Sequence, residues 1–416
     1  MIHGPCLLAL AVAFGLPARA ASDAELAEIR SQIRELRSQY ESRIQALEQR
    51  LKDAEARAVP QPSAPPAPAG VNDSRSAFNP AISAILTGTY AHLSRDPRSF
   101  GIAGFAPSGG EIGPGRRSFG LGESELILSA NVDPHFAGNL VLAVTPGNEI
   151  GVEEAYGQYF GAPLGLSPKF GRFLSGIGYQ NEQHAHAWDF VDAPLAYQAF
   201  LGGRYATDGL QVKWIAPTDH FIELGGELGN GDAFPGSARN RNGANAGALY
   251  GHTGGDIGSS MSWRAGLSWL TTTAEDRDGF TGRSRVAIAD FVWKFAPNGN
   301  SRENQLKVQG EYLQRREVAR QSGWYLQGVW QLHPEWRVGA RFDRLDPGSA
   351  PYEADGTVLR AGFKPRRASV MVDYNPSEFS RIRLQYARSE TLPGVPDNEW
   401  FVQYILSLGA HGAHKY

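Results

Sequence analysis

Four residues in one short stretch carry the side chains best suited to chemistry. Glu182, His184, His186 and Asp189 lie within Asn181-Glu-Gln-His-Ala-His-Ala-Trp-Asp-Phe190. Residues two apart in an extended backbone share a side, so Glu182, His184 and His186 point together. Asp189 joins them if the chain bends. Two imidazoles with a carboxylate or two suit zinc, so a bound zinc ion is one reading of the stretch. The plainer reading is that these polar groups anchor a loop by hydrogen bonds, with Trp188 and Phe190 packed inside. Both stay open on sequence alone. Cys6 is the sole cysteine, which excludes a thiolate metal site and a disulfide scaffold. No serine, histidine and aspartate fall together in a core context, so no catalysis is expected. Forty Lys+Arg against 43 Asp+Glu leave a net charge of −3, which offers no basic field for nucleic acid.

A second group of charges is set by period-two alternation. Trp336, Val338, Ala340 and Phe342 share one face of a segment whose other face carries Arg337, Arg341 and Asp343. Trp400, Val402, Tyr404, Leu406 and Leu408 repeat the pattern near the chain end. Arg381 and Arg383 lie on the polar side of a neighbouring segment, and Lys213, Glu223 and Glu227 on the polar sides of two others. If the apolar faces meet lipid, these eight charged residues line a lumen. Arg337, Arg341, Arg381 and Arg383 then either form a cationic strip that orients anionic solutes or pair with the acids opposite and stiffen the wall. The chain has only seven lysines, and its inward acids are numerous. That mixture predicts a polar, water-filled lumen with no overwhelming anion preference.

The elements that must position these groups are strands. Glycine is over-used, at 49 of 416 residues, and aromatics are frequent, whereas no later stretch reaches the length of a membrane helix. Alternating segments run from about residue 81 to the end. Tight polar turns at Asp133-Pro-His135, Ala216-Pro-Thr-Asp219, Asp256–Ser260, His333-Pro-Glu335 and Asn375-Pro-Ser-Glu378 separate hairpins joined elsewhere by longer loops. The expected fold is all-β: a transmembrane antiparallel β-barrel of about 16 strands, from 82–92 to 399–409, with an N-terminal α-helical coiled coil. Residues 1–20 read as a signal peptide, with an apolar run and Ala18-x-Ala20 before the cleavage point. Residues 21–58 form the coiled-coil helix, whose Leu26, Ile29, Ile33, Leu36 and Tyr40 follow 3-4-3-4 spacing. Its mixed isoleucine positions lean towards a trimer. Residues 59–77 are a Pro/Ala-rich tether, and 78–416 are the barrel.

Particular stretches carry a family likeness. They are Phe78-Asn-Pro-Ala-Ile82, Ser124-Glu-Leu-Ile-Leu-Ser-Ala-Asn-Val132, Gly171-Arg-Phe173, Asn181 to Phe190 and Asn375-Pro-Ser-Glu-Phe379. With the signal peptide, coiled coil and tether, they make the chain resemble the phosphate-selective porin O and P superfamily of Gram-negative bacteria. Within it, the chain is similar to a porin-like group often labelled zinc-regulated or TonB-dependent outer-membrane receptors. The resemblance implies an outer-membrane porin whose partners are membrane lipid, two further copies in a homotrimer, and small hydrophilic solutes or ions. It also implies the alternative of a zinc-responsive metal receptor or uptake channel. The coiled coil would then lie in the periplasm, and residues 176–205 would fold inwards as a third loop that narrows the lumen.

Overall fold

In the computed structural model, the described residues are 81–105, 112–145, 147, 149–235, 242–277, 280–317, 320–348, 352–354, 357–359 and 362–409. The expected signal peptide, coiled coil and tether lie outside them, as does the terminal Tyr416.

Alternation organises the long strands of the wall. β1 is Ala81–Leu93, and β2 is broken into Ser118–Leu121 and Ser124–Asn131. β3 to β8 are Phe136–Val144, Ile150–Tyr159, Leu166–Leu174, Ala206–Ile215, Phe221–Gly229 and Ala246–Ile257. β9 to β12 are Met261–Arg277, Phe280–Phe295, Gln305–Arg316 and Arg320–His333. β13 to β16 are Trp336–Asp346, Arg366–Ser377, Ser380–Leu392 and Val395–Gly409. Each strand pairs antiparallel with the next, and β1 pairs with β16 from Ser83 opposite Gly409 to Leu93 opposite Glu399. The result is a closed barrel of 16 strands. Closure leaves no free sheet edge.

The polarity of the wall is inverted relative to a water-soluble sheet. In β14, Arg367, Ser369, Met371 and Asp373 are buried inwards, whereas Val370 and Val372 face out. Arg367 is 1% exposed and Val370 53%, a reversal that only a hydrocarbon surround makes favourable. Aromatic pairs sit on the outer face, among them Trp336–Tyr374 with centroids 4.8 Å apart and Tyr386–Trp400 at 4.7 Å. One end of the barrel carries the tight turns. There Asp133 Oδ1 accepts hydrogen bonds from the amides of His135 (2.7 Å) and Phe136 (2.9 Å), closing the β2–β3 turn.

The β9–β10 hairpin runs further than the expected 260–272 and 284–296, because the pairing continues from Thr273 opposite Arg283 to Arg277 opposite Phe280. The larger difference lies inside. The lumen is not polar throughout: it holds an apolar cluster built around α1, Leu195–Leu201, all seven of whose residues are buried. Pro194 precedes α1, and Gly202, at φ 69°, ends it in the left-handed region. Phe200, Tyr197 and Leu201 pack on Leu270, Val286, Leu313, Tyr325 and Leu345 of the wall.

Close backbone approach explains some glycines. A Cβ on Gly209 would lie 2.0 Å from the Leu228 carbonyl oxygen and 2.7 Å from the Gly229 Cα, neither of which can yield. Gly328 has open space around the same position. Gly209→Ala should therefore destabilise the barrel by about 1–3 kcal/mol, while Gly328→Ala should be close to neutral. The temperature at which each variant loses its compact, heat-modifiable gel mobility measures the difference.

Candidate functional site in the barrel lumen

The segment between β5 and β6, residues 175–205, turns into the barrel instead of standing above it. Its backbone amides are satisfied by wall carboxylates. Glu227 accepts from the Ser175 hydroxyl (2.6 Å) and the Gly176 amide (2.8 Å), and Glu311 accepts from the Gln180 amide (2.8 Å) and the Tyr197 hydroxyl (2.7 Å). The Leu195 amide donates to Asp343 Oδ1 at 2.9 Å. Buried loop backbone needs such partners, because no water replaces them.

The loop's own acids meet the arginines of β13 to β15. Asp192 takes both Arg341, at 2.9 Å, and Arg367. Asp189 lies between Lys307 and Arg337, the latter at 3.2 Å, and accepts from Gln327 at 3.0 Å. Burial alone would raise the Asp189 pKa, but Lys307 and Arg337 hold its carboxyl at about 2. Asp192 is likewise lowered, with Arg341 and Arg367 outweighing its burial. Arg341 also pairs with Asp343 at 2.9 Å and lies over the Phe190 ring, 4.7 Å from its centroid. Arg383 joins Asp373 (2.8 Å) to the Trp188 carbonyl (3.0 Å). Arg341 and Arg383 are thus enclosed, whereas Arg337 and Arg381 line open space.

The four residues of the expected zinc set do not converge. The Gln183 amide donates to the Gln180 carbonyl at 3.2 Å, so the chain turns at Glu182 and parts its side chain from the two histidines. Glu182 reaches Lys213 on β6 (2.6 Å) and Arg264 on β9 (3.1 Å). His184 and His186 instead face β2 and β4, their rings 5.7 Å apart and stacked. His184 Nδ1 is 3.1 Å from Glu153 and 3.3 Å from Glu125, and its Nε2 is 3.3 Å from Glu154. Burial would lower its pKa, yet these carboxylates hold it well above an ordinary histidine. Glu223, the remaining expected lining residue, sits 3.0 Å from His252 and 3.6 Å from Lys213.

Beside the loop, towards the tight-turn end, lies a cavity of about 450 Å³. Six bases line it (Lys169, Lys213, Lys294, Lys307, Arg337 and Arg381) against the carboxylates of Glu154, Glu182 and Asp189. Lys169, Lys294 and Lys307 were not among the expected lining residues, although the alternation places each on an inward face. The inward charges are mixed, as expected, but sorted by place: bases gather here and acids gather at β2 and β4. A second cavity, of about 660 Å³, is lined by Glu123, Glu153, Arg172, Arg204, Asp208 and Asp232, among others.

No family model matches the chain. An uncharacterized protein of Aquifex aeolicus (strain VF5) is 30% identical over 340 residues, which is 72% of this chain and 71% of that protein. Among solved structures, Pseudomonas putida OprB is similar at a TM-score of 0.54 and 12% identity, over 80% of this chain and 95% of OprB. The outer membrane channel DcaP of Acinetobacter baumannii gives 0.51 and 13% identity, over 80% and 99%. An anion-selective porin from Comamonas acidovorans gives 0.51 and 9% identity, over 80% and 100%. The fold is that of these porins.

Removing one loop acid should release the loop. Asp192→Ala leaves Arg341 and Arg367 facing each other without their shared carboxylate, a loss of about 3–5 kcal/mol for a buried pair. Limited proteolysis should then cut within 175–205 in the variant and spare the wild type. The pH dependence has a definite sign. Asp189 has a lowered pKa, so its contribution is complete above the ordinary aspartate value of ~3.9 and is lost as pH falls through about 2. Pepsin should accordingly spare the wild-type loop at pH 4 and cleave it at pH 2.

Proposed function

From the premise that this chain belongs to the same family as the Aquifex aeolicus protein and has the porin fold, we propose that it is an outer-membrane porin. Small hydrophilic solutes and ions cross it by passive diffusion through a lumen that residues 175–205 narrow. The observation that carries this reading is the inverted wall, with paired charges inside a closed sheet and exposed aliphatic and aromatic side chains outside it. A sheet of that polarity belongs in lipid, and a barrel of sixteen strands is wide enough to leave a passage. The signal peptide read in residues 1–20 and the absence of any expected catalytic set agree with it. The 3-4 spacing of apolar residues read in 21–58 is what a periplasmic coiled coil of a homotrimer would need.

The solutes follow from the cavity beside the loop. With six bases against three carboxylates along its wall, the narrow part of the lumen attracts small anions and repels cations. Lys294 and Arg381 contribute to that field from β10 and β15. A zinc receptor built on Glu182, His184, His186 and Asp189 draws no support from ligands that point to different walls.

Reconstitution in planar bilayers under a potassium chloride gradient tests the reading. The wild type should conduct with a reversal potential of anion-preferring sign. Lys294→Gln with Arg381→Gln removes two of the six positive charges and should lower the anion-to-cation permeability ratio several-fold. A wild type that prefers cations would overturn the anion reading. Folded protein that never conducts, or that fractionates away from the outer membrane, would overturn the porin itself.

A further inference from the structure

The acids of β2 and β4 form a group that solute passage does not require. Glu123 lies at the break in β2, and Glu125 follows it on the same strand. Glu153 and Glu154 are adjacent on β4, where strict alternation would send one of them out into lipid. A β-bulge prevents this. Val141 pairs with Glu154 and the next residue, Leu142, pairs with Val152, so Glu153 is the extra residue and its side chain turns inwards. Two consecutive carboxylates thereby reach the lumen.

These carboxylates meet His184. Its Nδ1 lies 3.1 Å from Glu153 Oε2 and 3.3 Å from Glu125 Oε2, and one N–H cannot serve both. Glu125 Oε2 makes no hydrogen bond, although the Glu125 side chain is wholly enclosed. The other Glu125 oxygen is held by His186 Nδ1 at 2.8 Å, which turns Oε2 towards His184. The three ligand atoms, one each from Glu125, Glu153 and His184, lie within 4.8 Å of one another. Donors around a tetrahedral zinc with bonds of ~2.0–2.1 Å stand about 3.3 Å apart, matching the nitrogen-to-oxygen separations here.

Charge points the same way. Glu123, Glu125 and Glu153 face Arg204, which pairs with Glu123 at 2.8 Å and also with Glu153. Lys169 acts on Glu154 as well. Arg204 and Lys169, with His184 among them, thus face four carboxylates, an excess of negative charge that favours a bound divalent cation.

We propose that Glu125, Glu153 and His184 bind a divalent transition-metal cation of the zinc class, with His186 positioning Glu125. The imidazole selects against calcium and magnesium, and the carboxylates against soft monovalent copper. The ion joins the third loop to β2 and β4, on the side of the lumen away from the Asp189 and Asp192 anchors. It sits in the partition between the two cavities, since His184 lines one and Glu153 the other. This goes beyond the porin reading, because the metal braces the constriction and is not the cargo.

The test uses the full chain in detergent, stripped with a chelator and titrated with zinc chloride by calorimetry. One saturable zinc per chain is expected, and Glu125→Gln and His184→Gln should each weaken it by at least about 100-fold, the upper end of what an outer-shell loss costs. Asp189→Asn, a member of the set that does not converge, should bind zinc as the wild type does. Cobalt(II) on the wild type should give visible d–d bands of a low-coordinate site, a readout that needs no variant. Zinc should also raise the heat-modification temperature of the wild type and leave that of His184→Gln unchanged. Wild-type protein that shows neither saturable zinc binding nor cobalt bands would overturn the site. So would binding that survives both ligand substitutions. A channel that conducts normally and binds no metal separates the failure of this site from failure of the porin reading.

Discussion

Asp192 shares two guanidiniums, those of Arg341 and Arg367, at a point inside the barrel where both arginines are nearly inaccessible to water. The rest of the lumen depends on arrangements of this kind. A barrel of eight strands can fill itself with its own side chains, but one of sixteen cannot. Something must occupy the middle if the passage is to be narrow. Here it is 175–205, and a loop drawn into the lumen brings backbone amides and acids with it. Each needs a partner on the wall, since a single unpaired charge left buried costs several kcal/mol. The inward face therefore carries charged and amide side chains at the positions where the loop presents its own groups.

The consequence is a lumen whose charges are sorted by place. The bases on β5, β6, β10, β11, β13 and β15 face the cavity beside the loop, and the acids on β2 and β4 face the two histidines. Uniform mixing would cancel the field along any path. Segregation keeps a field on each side, and the two groups meet only where Lys169 of the basic side acts on Glu154 of the acidic side. The β4 bulge sharpens the contrast by adding Glu153 to the acidic side.

Much of this was legible in the chain, and the parts that were not have physical reasons. Period two in Trp336–Phe342 and Trp400–Leu408 is a local property, so strand number and inward face could be read directly. Lys169, Lys294 and Lys307 were readable by the same rule; how the inward charges cluster depends on which strands face each other across the lumen, which alternation does not give. The metal reading of Glu182, His184, His186 and Asp189 assumed extended chain. The turn closed by the Gln183 amide on the Gln180 carbonyl breaks that assumption at Glu182, and nothing in Gln-Asn-Glu-Gln announces it. Glu153-Glu154 did carry a signal: two adjacent acids in an alternating strand imply that one is out of register. The helix at 195–201 is seven residues long, too short for helical periodicity to stand out from an apolar run.

That short helix does what ion pairs cannot. Salt bridges between long side chains tolerate sliding, since an arginine can follow a carboxylate by changing rotamer. Packed apolar surfaces do not, because their energy depends on close fit. Gly323 shows the fit on the wall side: a Cβ there would lie 2.4 Å from Leu345, 3.3 Å from Ala196 and 3.4 Å from Phe200. The glycine lets α1 approach β12 and β13 closely, and Phe105 meets Phe200 edge-on at 5.4 Å from a different loop. The helix thus fixes where the loop sits, and the acids of residues 189 and 192 fix which groups it turns towards the passage. Position and charge are set by separate contacts, so the chain can alter the bases around the cavity without loosening the loop beside it.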